Sequence, residues 1–401
     1  MSKSGAPGPA PGLRISAYTA SCAAGVGTAA LAEALAANRS GLRPDADPRL
    51  PCWLGRVDTL AAEPVADAAW DSRATRLAAG ALAQDGFEAA VAAACRRHGA
   101  TRVGLVLGSS ASTIAVTEAA YRAPAAEGGF PAALRHPALN TPHAVTHFVQ
   151  RRLGLQGPAL TVSTACSSSA KALASAERWL RAGVADAVVV AGVEALSDSL
   201  RFGFRALGLV DPERCRPFAA ARRGISIGEA AVFALVERGG DAPLRLLGSG
   251  EANDAHHMSA PHPQGRGAEA ALDAALAQAG LTAEGVDFLN LHGTGTPAND
   301  EVEAALVARR YAPGVHACAT KALTGHTMGA AGLLEAVICW LALEGRVQAG
   351  SGGGPGPDPA FGAVFAGQLR PAPAAGRARV AASHSFGFGG SNAVLLFGAG
   401  A

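Results

Sequence analysis

Cys166 lies in Thr161-Val-Ser-Thr-Ala-Cys-Ser-Ser-Ser-Ala-Lys-Ala-Leu173, where an apolar strand gives way to an Ala/Leu-rich helix predicted to run to Arg181 and stop at Gly183. A thiol at a helix N-terminus faces unpaired N–H groups and the positive end of the helix dipole, both of which favour thiolate. This placement predicts a lowered pKa and a nucleophile able to carry an acyl group as a thioester. On this segment alone, a buried structural cysteine fits as well.

Two histidines stand in comparable surroundings. His292, in Val286-Asp-Phe-Leu-Asn-Leu-His-Gly-Thr-Gly-Thr-Pro-Ala-Asn-Asp-Glu-Val-Glu303, follows a strand and precedes a helix that Asp300 and Glu303 could start as a capping box. The carboxyl edge of an open α/β sheet is where ligands bind, and the flanking glycines leave room for a substrate to approach. Thr294 and Thr296 add hydroxyl donors there. His326, in Thr320-Lys-Ala-Leu-Thr-Gly-His-Thr-Met-Gly-Ala-Ala-Gly-Leu-Leu-Glu335, is followed by a helix predicted to end near Gly345. A neutral imidazole there could donate a hydrogen bond, and Lys321, in a chain where lysine is scarce, could hold a carboxylate or oxyanion. A glycine turn around a satisfied histidine, and a solvated lysine, remain open readings of these segments.

Ser383-His-Ser-Phe-Gly-Phe-Gly-Gly-Ser-Asn392 is dense enough in glycine for its backbone N–H groups to face a ligand as an oxyanion hole, with Phe386 and Phe388 either lining it or serving as core. No zinc-like spacing links the histidines, and no metal site is expected.

The elements that must position these residues read as α/β. Short β-branched runs (Val103–Leu107, Ala159–Val162, Ala187–Val190, Val232–Val236, Val286–Leu291, Val315–Ala317) alternate with Ala/Leu-rich stretches of helical length. Val188-Val189-Val190 has no polar alternation, as expected of a strand covered on both faces in a mostly parallel sheet. A weak internal repeat relates Ile225–Val236 to Phe386–Phe397, each a glycine-bearing turn feeding an apolar strand; chance similarity also accounts for so short a match. It predicts two similar halves, 13–240 and 241–401, behind a loose tail over 1–12, with the break at the polar turn Arg238–Pro243.

With 401 residues, 16% of them charged and 49% apolar, the chain can bury a large core. Its formal net charge of +2 gives no overall field for nucleic acid or anionic membranes. The seven cysteines are scattered and never form a CxxC pair, which predicts reduced, cytoplasmic protein. The N-terminus lacks the apolar stretch of a secretory signal, and Leu333–Leu343 is too short to span a bilayer.

Taken together and in this order, Thr164–Leu173, His292–Glu301, Thr320–Gly332 and Ser385–Asn392 resemble the β-ketoacyl-acyl carrier protein synthases of the elongating type, over roughly residues 13 to 398. The resemblance implies a thiolase-like five-layered αβαβα sandwich built from two similar halves, normally dimeric, with a homologous or identical partner subunit. It implies catalytic roles for Cys166, His292 and His326, with Lys321 and Glu335 in support. The N–H groups of Cys166 and Phe388 would form the oxyanion hole, Phe388 would gate the acyl pocket, and Thr294 and Thr296 would hold the pantetheine arm. Acyl carrier protein is the implied partner, and neither a metal nor a redox cofactor is implied.

Two departures stand out. Pro217-Phe218-Ala219 and Arg222-Arg223-Gly224 replace segments in which the family carries acidic residues, which puts the usual ion pairs in question. Asn253–Pro263 resembles synthases of specialised bacterial pathways, such as those of aryl polyenes. A non-catalytic chain-length partner subunit is the competing class, although such partners typically lack the cysteine. A degradative thiolase would want a second cysteine near the C-terminus, and none follows Cys339. Arg73 and Arg76, near a predicted helix start, are candidates for docking an acidic carrier, as well as for a solvated helix face.

Overall fold

A computed structural model describes residues 12–122, 138–352, 354 and 356–400; of the expected tail, residues 1–11 lie outside the described residues. The six β-branched runs all form strands, and their neighbours complete an eleven-stranded sheet. Its order is His316–Cys318, Phe288–Asn290, Val380–Gly387, Ser391–Ala399, Leu244–Asn253, Leu13–Cys22, Ala230–Glu237, Ala187–Glu194, Val103–Gly108 and Ala159–Val162, with Gly25–Val26 pairing off Leu13–Cys22.

The continuity at the centre is slight. Leu13–Cys22 and Leu244–Asn253 meet only at Leu13↔Leu246 and Arg14↔Arg245, so the sheet divides into two five-stranded halves. The two segments of the weak repeat lead into Ala230–Glu237 and Ser391–Ala399, which occupy equivalent places. Each lies antiparallel between the first strand of its half and a strand ending near the site.

Side-chain alternation builds the layers. Val188 and Val190 point into a central core, together with Ala393, Leu395 and Phe397 of the other half. Two helices, Ser168–Arg181 and Ala331–Leu343, fill that core; the second is buried at every position, as a helix apolar all round must be. Val189, Ala191 and Val193 face outward, against helices Arg73–Leu82, Phe87–His98 and Ala144–Arg152. Ala382, Val394 and Leu396 face helices Arg266–Ala279, Pro297–Arg310 and Gly362–Gln368. Helix, sheet, helix, sheet, helix is the expected thiolase-like sandwich.

Small residues make the central layer possible. A Cβ on Gly332 would sit 2.7 Å from the Ala170 Cβ, and one on Gly108 would sit 2.3 Å from the Ser169 nitrogen. The nucleophile-bearing helix can therefore lie against both its strand and its partner helix only because these positions lack side chains.

Candidate active site

The turn between strand Ala159–Val162 and helix Ser168–Arg181 sets the thiol. Ala165 adopts a left-handed φ of 52°, a conformation costly for a residue with a Cβ, and this sharp bend swings Cys166 out at the head of the helix. Ser167 and Ser168 tie the bend by donating to the Thr164 and Ala165 carbonyls.

Around the thiol the distant segments converge. Cys166 Sγ lies 3.0 Å from His326 Nε2, and the ligating atoms of Cys166, His292 and His326 all fall within 4.8 Å of one another. The imidazoles of His292 and His326 meet edge to face, with centroids 5.4 Å apart. Lys321 donates to the His292 carbonyl and forms a buried ion pair with Glu335; its Nζ is also 3.4 Å from His292 Nδ1. An ammonium facing Nδ1 makes that nitrogen the acceptor. The ring hydrogen of His292 is thereby assigned to Nε2, where it can meet a substrate.

Electrostatics overturn one expectation. The helix terminus was expected to lower the Cys166 pKa, yet burial pushes the thiol up to about 11, although Lys321 and the Phe388 N–H pull against it. Removing the charge from water outweighs both of these. Burial, then the Lys321 charge, also holds His292 and His326 well below the usual imidazole range. The resting site is a thiol beside neutral imidazoles rather than a thiolate–imidazolium pair. Burial raises Glu335 as well, and Lys321 opposes that shift.

Phe388 places its N–H toward Cys166, and Gly387 lies where a Cβ would come 3.0 Å from the Thr164 carbonyl oxygen, so the oxyanion-hole segment approaches the nucleophile turn backbone to backbone. Asp254 N donates to Gly390 O at 2.9 Å and Gly389 N to Met258 O at 2.7 Å, pinning this segment to the 253–263 loop. A cavity of about 230 Å³ is lined by Cys166, His292, His326, Thr294, Thr296 and Phe388, among others. Thr294 and Thr296 share a hydrogen bond of 2.8 Å at its wall. Phe386 also faces it, so neither phenylalanine of the motif is plain core.

Two functional roles escaped the sequence. Asp300 and Glu303 do not cap the helix: it begins at Pro297 with no side-chain cap, and both carboxylates lie inside it. They reach back instead, Glu303 to the His292 and Gly293 N–H groups at 2.8 Å each, and Asp300 to those of Phe218 and Gly295. The other miss is Phe204, whose ring lies 5.5 Å from that of Phe388 and lines the cavity from helix Asp198–Ala206. An acidic pair at i, i+3 that never meets solvent was the only trace of the first; nothing near Phe204 signals the second.

The departures at 217–224 find partners elsewhere. Arg222 pairs with Asp358 at 3.0 Å and Glu301 at 3.2 Å beneath the Phe361 ring, and Arg223 pairs with Asp211. Arg73 and Arg76 are likewise committed, to Glu229 and Asp58 and to Asp71 respectively. All seven cysteines are free, and among the described residues no helix is long and apolar enough to cross a membrane.

Comparison with known proteins matches this geometry. Models of the β-ketoacyl synthase N-terminal and C-terminal domains match residues 72–242 and 245–351. Nodulation protein E of Rhizobium meliloti (strain 1021) is 36% identical over 316 residues, 76% of this chain and 77% of that protein. The 3-oxoacyl-[acyl-carrier-protein] synthase 2 of Staphylococcus aureus (strain COL) is 31% identical over 317 residues, 74% of this chain and 75% of its own. Among solved structures, the ketosynthase ApeO in complex with its chain length factor ApeC, from Xenorhabdus doucetiae, superposes with a TM-score of 0.85 at 34% identity, covering 97% of this chain and 98% of that one.

Proposed function

The chain belongs to the β-ketoacyl synthase family, and from that membership we propose how its residues carry out the reaction. It is a β-ketoacyl-acyl carrier protein synthase, an acyltransferase of a family that takes its substrates from the phosphopantetheine of a carrier protein. The observation that carries the assignment of roles is the 3.0 Å contact between Cys166 Sγ and His326 Nε2 on the wall of a cavity that His292 also faces.

In the first half-reaction an acyl thioester places its carbonyl oxygen between the N–H groups of Cys166 and Phe388. As Sγ attacks, its proton passes to His326 Nε2, and the tetrahedral oxyanion is held by the two N–H groups. Collapse expels the pantetheine thiolate, which takes that proton, and leaves acyl-Cys166. In the second half-reaction a malonyl thioester enters with its arm along Thr294 and Thr296. His292, and His326 once its ring hydrogen has moved from Nδ1 to Nε2, donate to its carbonyl oxygen, and as the bond to the carboxylate breaks, CO₂ departs and the electron pair becomes an enolate. Its carbon attacks the Cys166 thioester, a C–C bond forms, the C–Sγ bond breaks, and the departing thiolate takes up one proton from solvent. Neutral imidazoles suit this task, because they donate hydrogen bonds without surrendering a proton to the enolate. Lys321, held by Glu335, keeps the His292 hydrogen on Nε2.

Acyl carrier protein is the partner that delivers both chains, and a dimer, with an identical or a related subunit, is the working unit; the kinship to a ketosynthase held with a chain length factor supports this. Retention of Cys166 in contact with His326 favours the catalytic member over a chain-length subunit. The division into halves at 240/241, the cytoplasmic setting and the specialised-pathway placement resting on Asn253–Pro263 belong to the same reading.

Intact-protein mass spectrometry after incubation with acyl carrier protein substrates tests the first step: an acyl adduct is expected on the native chain and absent on Cys166→Ala. Equal labelling of the two, or none on the native chain, would sink the assignment. His292→Ala is expected to accept the acyl group yet release CO₂ from malonyl carrier protein at least about 100-fold more slowly, the loss expected of a transition-state hydrogen bond, whereas His326→Ala is expected to slow acylation as well, because it also loses the acceptor of the Sγ proton.

A further inference from the structure

Behind His292, away from the cavity, lies a chain of buried polar groups that the reaction scheme does not use. Glu303 Oε1 accepts the His292 N–H at 2.8 Å and faces His384 Nδ1 at 3.0 Å; Oε2 accepts the Gly293 N–H at 2.8 Å. His384 Nε2 in turn lies 2.8 Å from the Tyr311 hydroxyl. Glu303 and His384 are fully buried and Tyr311 nearly so. Two elements supply them: helix Pro297–Arg310, which carries Glu303 and ends at Tyr311, and strand Val380–Gly387.

We propose that Glu303, His384 and Tyr311 form a relay that positions His292 for the decarboxylation step, an inference that rests on the role assigned to His292 above. Direction is set at the carboxylate. Glu303 can only accept, so His384 Nδ1 carries the ring hydrogen and donates to it. Nε2 of the neutral ring is then the acceptor of the Tyr311 hydroxyl. The carboxylate is thereby held with one oxygen on each of two consecutive backbone N–H groups. Gly293 in that turn has a left-handed φ of 42°, so the turn is free of Cβ strain and needs external fixing. Lys321 grips the carbonyl of His292 from the opposite side. Backbone N–H and C=O of one catalytic residue are thus both clamped by buried charged side chains, which leaves its imidazole little freedom to miss the substrate carbonyl. None of the three lines the cavity itself, so they are positioning residues.

The test separates the two half-reactions in the full-length enzyme: acylation of Cys166 by mass spectrometry, and CO₂ release from malonyl carrier protein. His384→Leu removes the donor to Glu303 and is expected to slow CO₂ release roughly 10- to 100-fold, the value of a hydrogen bond to a charged group, with acylation within about threefold of native. His384→Asn, which returns an N–H near the Nδ1 position, should recover most of that loss. Tyr311→Phe, a near-isosteric change that keeps the enzyme folded if His384→Leu does not, should slow CO₂ release about 3- to 10-fold. Equal losses in both half-reactions, no loss in either, or failure of His384→Asn to recover overturns the relay. His292→Ala is run alongside: undiminished CO₂ release there removes the parent assignment, whereas a loss there with unchanged His384 and Tyr311 variants removes the relay alone.

Discussion

At the scale of single residues the site is governed by which effect wins at Cys166. The Lys321 charge and the Phe388 N–H lower the thiol's pKa, while full burial raises it, and burial prevails, pushing it up to about 11. Below that value the thiolate fraction grows about tenfold per pH unit. Alkylation of Cys166 by iodoacetamide, followed peptide by peptide, should therefore accelerate about tenfold per unit between roughly pH 6.5 and 8.5. A rate independent of pH across that window would mean a resting thiolate–imidazolium pair and reverse the reading. Cys166, His292, His326 and Lys321 were legible as candidates in the sequence because each sits beside a glycine or small-residue turn at an element end, whereas Glu335, inside helix Ala331–Leu343, entered only through the family resemblance. Their protonation states were not legible. Desolvation depends on what is packed around a group, and the His292, His326 and Phe388 segments that enclose Cys166 are distant from it in the chain.

Among the elements, the two central helices decide whether thiol and imidazole meet. His326 precedes helix Ala331–Leu343 by five residues and Cys166 precedes helix Ser168–Arg181 by two, so the contact between these helices sets the Sγ–Nε2 distance. That contact is made by Ala170 against Gly332 and by Ser169 Oγ accepting the Leu333 N–H at 2.9 Å. Ala170→Leu adds a larger side chain where no space exists. It is expected to destabilise the fold by about 1–3 kcal/mol, read as a lower midpoint in denaturant, and to reduce acylation of Cys166 more than tenfold even in the folded fraction. Unchanged acylation in soluble protein would show that the helices can separate without moving the pair. Strand and helix existence was legible from periodicity and Ala content, and even Arg181 was placed as the helix end. The capping role given to Asp300 and Glu303 failed because a capping box is judged from local spacing. The partners that claimed both carboxylates, the His292–Gly293 and Phe218 backbones, are brought in by the tertiary fold.

For the whole molecule the two ends of the sheet differ. At one, strand His316–Cys318 is covered by the segment that follows the central helix: Arg370 N donates to Ala317 O at 2.8 Å and Ser351 Oγ accepts the Ala319 N–H. At the other, among the described residues, Ala159–Val162 pairs only with Val103–Gly108, and Leu160 is 40% exposed. An uncovered apolar edge is a template for another chain, and natural proteins leave one open chiefly where a partner fills it. This edge runs directly into the Cys166 turn, so a second subunit there would brace the bend at Ala165 and close the site's outer side. Nothing in the sequence separates the two edges, since both strands are short apolar runs and the cover over one comes from residues that read as loop. Leu160→Lys places a charge on the edge without altering the monomer's core. In light scattering it is expected to shift the protein from dimer to monomer, raising the dimer dissociation constant at least about 100-fold, and to reduce condensation while the native chain stays dimeric at the same concentration. A native protein that is monomeric at micromolar concentration, or a Leu160→Lys chain that remains an active dimer, would place the subunit contact elsewhere and leave the nucleophile turn to be braced by its own serines alone.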